Sequence, residues 1–249
     1  MKRREFITLA GAVAATVPLS ARAQPTTMPL IGFLSSRSPG ESSGVVAAFQ
    51  QGFETGFAEG RNLSIAFRWA EGHYDRLQAL AAELVNLRVT ALFAAGGSPS
   101  AVAAKAATTT IPIVFSAVND PVQLGLIRSL NQPGGNITGM STFTAELAAK
   151  SVELLKGMVP TAAIVAYLVN PTSPDAKIYS EPAVAAAKAL DIKVHVLGAS
   201  TQQELDDGFA SLKKLGANGL VVPGEPFFDT QRERIVALAE QYAIPAIYT

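Results

Sequence analysis

The sequence predicts an α/β protein made of two parallel sheets, each wrapped by helices into its own lobe. Three observations carry that expectation. Short Val/Ile-rich apolar runs alternate with helical periods from Pro29 onward, the pattern of strands buried on both faces and joined by crossover helices. The densest cluster of breakers, Asn131-Gln-Pro-Gly-Gly-Asn136, lies near the midpoint of that stretch. Beyond it the same β–α rhythm restarts. A lobe boundary is therefore expected around Ser141, with lobes over 24–140 and 141–249 and a cleft between them.

The first 23 residues read as an export signal and not as fold. Lys2, Arg3 and Arg4 give a positive start, Leu9 to Leu19 an apolar run, and Ala21-Arg22-Ala23 a small-x-small cleavage pattern. The run is too short to span a bilayer as a helix, which needs about 20 residues. Arg3-Arg4-Glu5-Phe6-Ile7 fits the twin-arginine (Tat) pattern of folded export, with an ordinary Sec signal as the alternative. Cleavage after Ala23 leaves Gln24 where a lipoprotein needs cysteine, and the chain has no cysteine. A free periplasmic protein without a membrane anchor is expected.

Leu30 to Leu34 is a continuous apolar run ending in Ser35-Ser36, the first strand. Val46, Phe49, Phe53 and Phe57 recur at helical spacing, so a helix with an aromatic face follows, stopped by Gly60. Asn62–Trp69 is a strand, and Leu77, Leu80, Ala81, Leu84 and Leu87 mark a helix. Val89–Ala95, Ile111–Val118 and Ile137–Met140 are further strands, separated by helices over Ala101–Ala107 and Val122–Leu130. After the breaker cluster, Leu147, Val152, Leu154, Leu155 and Met158 form a helix face before the strand Ala162–Val169. Val184, Ala187 and Leu190 mark the next helix and Ile192–Leu197 the next strand. Thr201-Gln-Gln-Glu204 is a capping box for a helix faced by Leu205, Phe209, Leu212 and Leu215. Gly219–Val222 is a strand, Thr230-Gln-Arg-Glu233 a second box opening a helix with Ile235, Leu238 and Tyr242, and Ile244–Tyr248 a last strand.

Composition narrows the function. The 249 residues carry 20 basic and 20 acidic side chains, are 49% apolar and only 16% charged. Removing residues 1–23 takes away Lys2, Arg3, Arg4 and Arg22 against Glu5, which leaves a net charge of −3. Nucleic acid is excluded as a partner, because phosphate contacts need a basic surplus. The missing cysteine excludes disulfides, thiolate catalysis and Cys-ligated metals.

No catalytic or metal constellation emerges. His73 lies in a loop before a helix, and His195 sits between Val194 and Val196 in a strand. There is no His-x-x-x-His pair, and no Gly-x-Ser-x-Gly elbow because Ser100 occupies the second glycine's place. Neither glycine-rich nucleotide motif occurs, so no cofactor is expected. What remains is a set of polar residues after strand ends, where open α/β sheets bind ligands. These are Ser35-Ser36-Arg37, Gly96-Gly97-Ser98-Pro99-Ser100, Ser116, Asn119-Asp120, Asn170-Pro171-Thr172 and Gly224-Glu225-Pro226-Phe227-Phe228. Gly96 and Gly97 allow close backbone approach, and the helix start at Ser98 suits an anion such as a carboxylate; a plain strand–helix turn explains the same spacing. Asp120 before Pro121 reads equally as a helix start and as a partner for an ammonium group. Trp69 reads as a ligand platform or as packing under a helix.

The strings IGFLSSRSPGES, RWAEGHYDRL, AAKAATTTIPIVFSAVNDPVQLGLIRSLNQPGGNITG and TAELAAKSVELLKGMVP resemble the ABC-transporter substrate-binding proteins whose better-understood relatives bind tryptophan, tyrosine or phenylalanine. The resemblance runs over nearly all of residues 29–249. It implies a type I periplasmic binding fold that closes on a small solute, best taken as an aromatic or other amino acid, and hands it to an ABC permease of the inner membrane. It further implies a monomer with no catalytic residues. Ser36, Ser98 and Asn119 would then line the first lobe, with Asp120 toward an amino group. Asn170, Thr172 and Glu225 would line the second, and Phe228 or Trp69 would supply an apolar wall. Members of that family run further than Thr249, so this form is expected to lack a C-terminal return segment, to expose apolar surface on the first lobe, and to be poorly stable and weakly binding. The alternatives are a sensory binding protein of the same fold and, less favoured for want of a nucleophile–base pair, an exported α/β enzyme.

Overall fold

Five strands form the first sheet, in the order β2-β1-β3-β4-β5 and all parallel: β1 (Leu30–Ser35), β2 (Ser64–Trp69), β3 (Ala91–Ala95), β4 (Ile113–Val118) and β5 (Ile137–Ser141). This is a computed structural model that describes residues 28–53, 56–144 and 146–249. The expected export signal lies outside the described residues. Ser35 pairs with Trp69 on one side and Ala95 on the other, so the strands end together along one edge. That register delivers the following loops to one place.

One face of this sheet packs Leu34, Leu92, Ile113 and Phe115 against α2 (Leu77–Asn86) and α3 (Ser98–Ala107). Gly32 permits the closeness of α2: a Cβ there would stand 2.7 Å from Leu92 and 3.3 Å from Leu84. The opposite face is aromatic. Phe33 lies 5.1–5.4 Å, centroid to centroid, from Phe49 of α1 (Ser43–Gln51), Phe67, Trp69 and Phe93. Past α1 that face is open, and Phe93, Val114 and Met140 line an apolar groove with Met140 65% exposed.

The second sheet runs β7-β6-β8-β9, again parallel: β6 (Ile164–Val169), β7 (Lys193–Gly198), β8 (Gly219–Val222) and β9 (Ala246–Tyr248). Alternation along β6 sorts its side chains onto two cores. Val165 and Tyr167 pack on α4 (Glu146–Met158) and α5 (Ala176–Ala189). Ala166 and Leu168 pack on α6 (Gln202–Leu215), α7 (Pro226–Thr230) and α8 (Arg232–Gln241). The two-sheet α/β architecture expected from the β–α rhythm is thus the one observed. Among the described residues no helix is long and apolar enough to cross a membrane.

Four local expectations are corrected. The aromatic helix stops at Gln51 with Gly52 as its cap, so Phe53 and Phe57 lie beyond it, although both rings stay in the aromatic row. Val122–Leu130 is not a helix but a series of turns: Asp120 Oδ1 accepts from the Val122 and Gln123 amides, and Gly125 has φ +67°. The helix expected around Val184 begins earlier, at Ala176, and runs through Pro182; burial of Tyr179 and Ala183 offsets the hydrogen bond that proline forfeits. Thr230 does not open α8. It ends α7, where its hydroxyl donates to the Phe227 carbonyl at 2.7 Å. The box at Thr201 does form, with both reciprocal bonds present.

Candidate functional site

Because each parallel sheet ends its strands on one edge, the loops after β1, β2, β3 and β4 face those after β6 and β8. The two sets touch directly. Tyr74, in the 3-10 turn Tyr74–Arg76 after β2, donates its hydroxyl hydrogen to Glu225 Oε1 at 2.6 Å and accepts from the Phe227 amide at 3.0 Å. Arg37 after β1 pairs with Asp229 of α7 at 2.5 Å. Ser98, the first residue of α3, accepts from the Asn119 amide at 3.4 Å and lies near enough to Asp175 to bear on its carboxyl. Gly97 comes close enough to Pro226 that a Cβ would stand 3.3 Å from its ring.

Glu225 is the most heavily partnered group of the junction. It is 2% exposed and precedes Pro226, so it caps α7 with its Oε2 accepting from the Phe227 and Phe228 amides at 2.9 and 3.4 Å. Its Oε1 also receives the Asn170 amide nitrogen at 3.4 Å. Burial pushes the Glu225 carboxyl up to about 7, and the donors from Tyr74, Phe227, Phe228 and Asn170 restrain that rise. The Tyr74 hydroxyl is driven far above the ordinary tyrosine range, by burial first and then by the Glu225 charge.

Asp175 is the other buried acid, 4% exposed. It stands at the N-cap of α5 but caps nothing: its φ and ψ of −87° and −1° are helical, and its side chain makes no bond to the helix. Burial raises its carboxyl to about 6, with the Ser98 hydroxyl opposing and the Asp120 charge reinforcing the rise. Its Oδ1 is buried without a hydrogen-bond partner, as is Ser100 Oγ.

The residues expected to line a cleft divide into three groups. Ser98, Asn119, Asn170 and Glu225 are buried at the junction, and Asp120 lies near enough to Asp175 to act on its charge. Ser36 and Thr172 support it from one step away. Ser36 Oγ donates to the Gly96 carbonyl at 2.6 Å, and Asn170 Oδ1 accepts from Thr172 Oγ1 at 2.7 Å. Trp69 and Phe228 are placed elsewhere. Trp69 stacks on Phe67 at 5.8 Å and 4° within the aromatic row, while Phe228 is 2% exposed in the core under α7. Tyr74, Asp175 and Asp229 are not marked by the sequence, and Arg37 is marked only as one of the polar residues after β1; the Glu225-Pro226 pair, an N-cap followed by Pro at N1, is the one local sign that α7 exists. Tyr179 completes the wall, its hydroxyl donating to the Gly224 carbonyl at 3.1 Å beside Thr144 Oγ1 at 3.0 Å; burial pushes it up to about 12.

Known proteins share this architecture. A "Tyrosine-binding protein" of Clostridioides difficile (strain R20291) is 31% identical over 195 residues, covering 78% of this chain, and the chain spans only 55% of that relative's length. An ABC domain from Streptococcus pneumonia, solved in complex with L-Trp, superposes with a TM-score of 0.78 at 22% identity, over 89% of this chain and 74% of the other. The ligand-free, open structure of a substrate binding protein with adhesive properties from Clostridium difficile gives 0.56 at 29% identity, over 88% and 74%. Residues 40–249 match the family model described as ABC transporter substrate binding protein, and the chain belongs to that family.

Proposed function

We propose that this chain is the solute-binding component of an ABC importer, that it works in the periplasm after export, and that it captures an amino acid, aromatic by preference, between its lobes. The observation that carries this reading is the junction itself: polar loops from two separate sheets meet over buried, partly unsatisfied side chains. Such a junction can open, admit a small molecule and close again, and the bound solute shifts the population toward the closed state. The first turn of α3, capped only by Gly97 at φ +88°, offers backbone amides and the positive end of a helix to a carboxylate. The names of the relatives, one tyrosine-binding and one holding L-Trp, support the aromatic class. No bond is made or broken in this scheme, and none of the residues at the junction is assigned a catalytic role. The partner that receives the solute is an ABC permease, approached by a monomer.

The test is a thermal-shift and calorimetric screen of the whole chain against L-tyrosine, L-tryptophan and L-phenylalanine, with a pentose as control. A saturable rise in melting temperature with at least one amino acid is expected. If the amino acids leave the melt unchanged while the pentose raises it, the amino-acid reading is lost.

A further inference from the structure

We propose that two copies of this chain pair through the open face of the first lobe, α1 of each filling the trench beside α1 of the other. The contact lies on a face of the sheet, away from the strand-end loops and the solute they are proposed to hold.

A parallel sheet is ordinarily covered by helices on both faces. Strands about 4.8 Å apart and helices about 10 Å across mean that one helix covers about two strands, so a five-stranded face takes two helices. The face that carries Leu92 and Phe115 has two, α2 and α3. The aromatic face has one among the described residues. There α1 sits over β1 and β3, with Phe49 at 5.3 Å from Phe33 and 4.5 Å from Phe93. It leaves β4 and β5 bare: Val114 is 43% and Met140 65% exposed. Between α1 and those strands runs a trench of about 760 Å³. One helix's width is missing from this layer.

Charge decides which helix fits. None of the side chains lining the trench is charged, and Ser116 is the one polar side chain among them. The occupant must match, because a charge buried there without a partner is costly. Among the described residues, α1 is the one helix with no charged side chain. Nor is any of its nine residues buried. Gly44, Val45, Ala47 and Ala48 are all exposed, although a surface helix ordinarily turns charged residues to solvent. So α1 is packed on one side and uncharged on the other. Glu41 precedes it, and Glu59 accepts from Gln50 near its far end at 2.8 Å, so both acids stand off its length.

Ridge and trench lie side by side in one lobe. A twofold axis between two copies therefore sets each α1 in the other's trench, a self-complementary contact that closes at two. The strand-end loops stay outside it, and the monomer that meets the permease is the dissociated form.

The experiment is sedimentation velocity on the whole chain, from micromolar to sub-millimolar concentration. It compares the parent with Met140→Glu in the trench, Val45→Glu on α1, and Val184→Glu on α5 of the second lobe as control. All three side chains are exposed, so each variant is expected to keep the parent's circular dichroism. The parent should be dimeric at the upper end of the range. Met140→Glu and Val45→Glu should each weaken the dimer at least about tenfold, since each buries an unpaired carboxylate, and Val184→Glu should leave it unchanged. A parent that stays monomeric throughout overturns the pairing, as does a dimer that the control disrupts equally. A dimer lost with Met140→Glu and kept with Val45→Glu puts some other part of the second copy in the trench, and overturns the role of α1. One that survives both lies on another surface altogether.

Discussion

Tyr74 and Glu225 are 151 positions apart and joined by a 2.6 Å hydrogen bond that crosses from the first sheet's loops to the second's. The same tyrosine oxygen accepts from the Phe227 amide at 3.0 Å, so one hydroxyl latches both the carboxylate and the helix it caps. Tyr74→Phe removes the latch and keeps the ring, which packs against buried residues of both lobes. We expect a loss of about 1–3 kcal/mol in denaturant unfolding, because a buried carboxylate is left short of a donor. A larger radius of gyration in small-angle scattering should accompany it. Unchanged stability together with unchanged scattering would show that the lobes are held by other contacts.

The two buried acids give stability a definite slope with pH. Glu225 is raised from 4.5 to about 7 and Asp175 from 3.8 to about 6, each chiefly by burial. The folded state therefore holds protons that the unfolded chain releases, and stability falls as pH rises through the window from about 4 to about 7. A displacement as large as that of Glu225 is worth on the order of 3 kcal/mol. Asp229, also raised by burial despite Arg37, acts in the same direction. Glu204 is lowered by its bonds to Ser200 and Thr201 and acts in the opposite direction, but it is exposed and screened. The melting midpoint should be higher at pH 5 than at pH 8, and Glu225→Gln should flatten part of that difference. A midpoint that climbs from pH 5 to pH 8 would refute the assignment.

The strand-end rule leads from the sequence to the edge where the loops of the two sheets meet, since Ser98, Asn119, Asn170 and Glu225 all follow strands and are buried there. It failed where contact depends on how two separate sheets face each other. Nothing within ten residues of Tyr74 announces Glu225, and nothing near Ser98 announces Asp175. Those partners meet only through the closure of the lobes. Asp175 is hidden further because the apolar spacing marks that helix only from Val184, whereas α5 begins at Ala176. Phe228 was misplaced for a related reason. In a loop it would line the cleft, but the cap supplied by Glu225 winds it into α7 and turns its ring into the core. Trp69 ends a strand as expected, yet alternation puts it on the aromatic face with Phe33 and Phe67.

Gly96 and Gly97 separate fold from function. Both have positive φ, +80° and +88°, which a side chain tolerates at a cost of about 1–3 kcal/mol. A Cβ at Gly96 would stand 2.5 Å from Ser36 Oγ and 3.0 Å from Ser35 Oγ, inside the first lobe. At Gly97 the nearest atom, at 3.3 Å, belongs to Pro226 of the second. Gly96→Ala should lose more stability in urea unfolding. Gly97→Ala should lose less stability and more solute affinity, because it obstructs closure. Equal effects of the two on both measurements would mean that the approach of Pro226 has no bearing on binding.

Among the described residues, Arg37 and Asp229 make the ion pair between the lobes, at 2.5 Å, with side chains 30% and 42% exposed. That exposure limits its worth. Solvent screens the pair, and ordering two side chains offsets part of the attraction, so a double-mutant cycle with Arg37→Ala and Asp229→Ala should give a coupling of about 0.2–1 kcal/mol. The coupling should shrink between low salt and molar salt, whereas the Tyr74–Glu225 bond, buried at its carboxylate, should hardly respond. The contrast assigns different work to the two bridges: the ion pair guides the lobes into register as they approach, and the buried bond holds them once water has left. A coupling well above that range, insensitive to salt, would place Arg37 and Asp229 with the holding contacts instead.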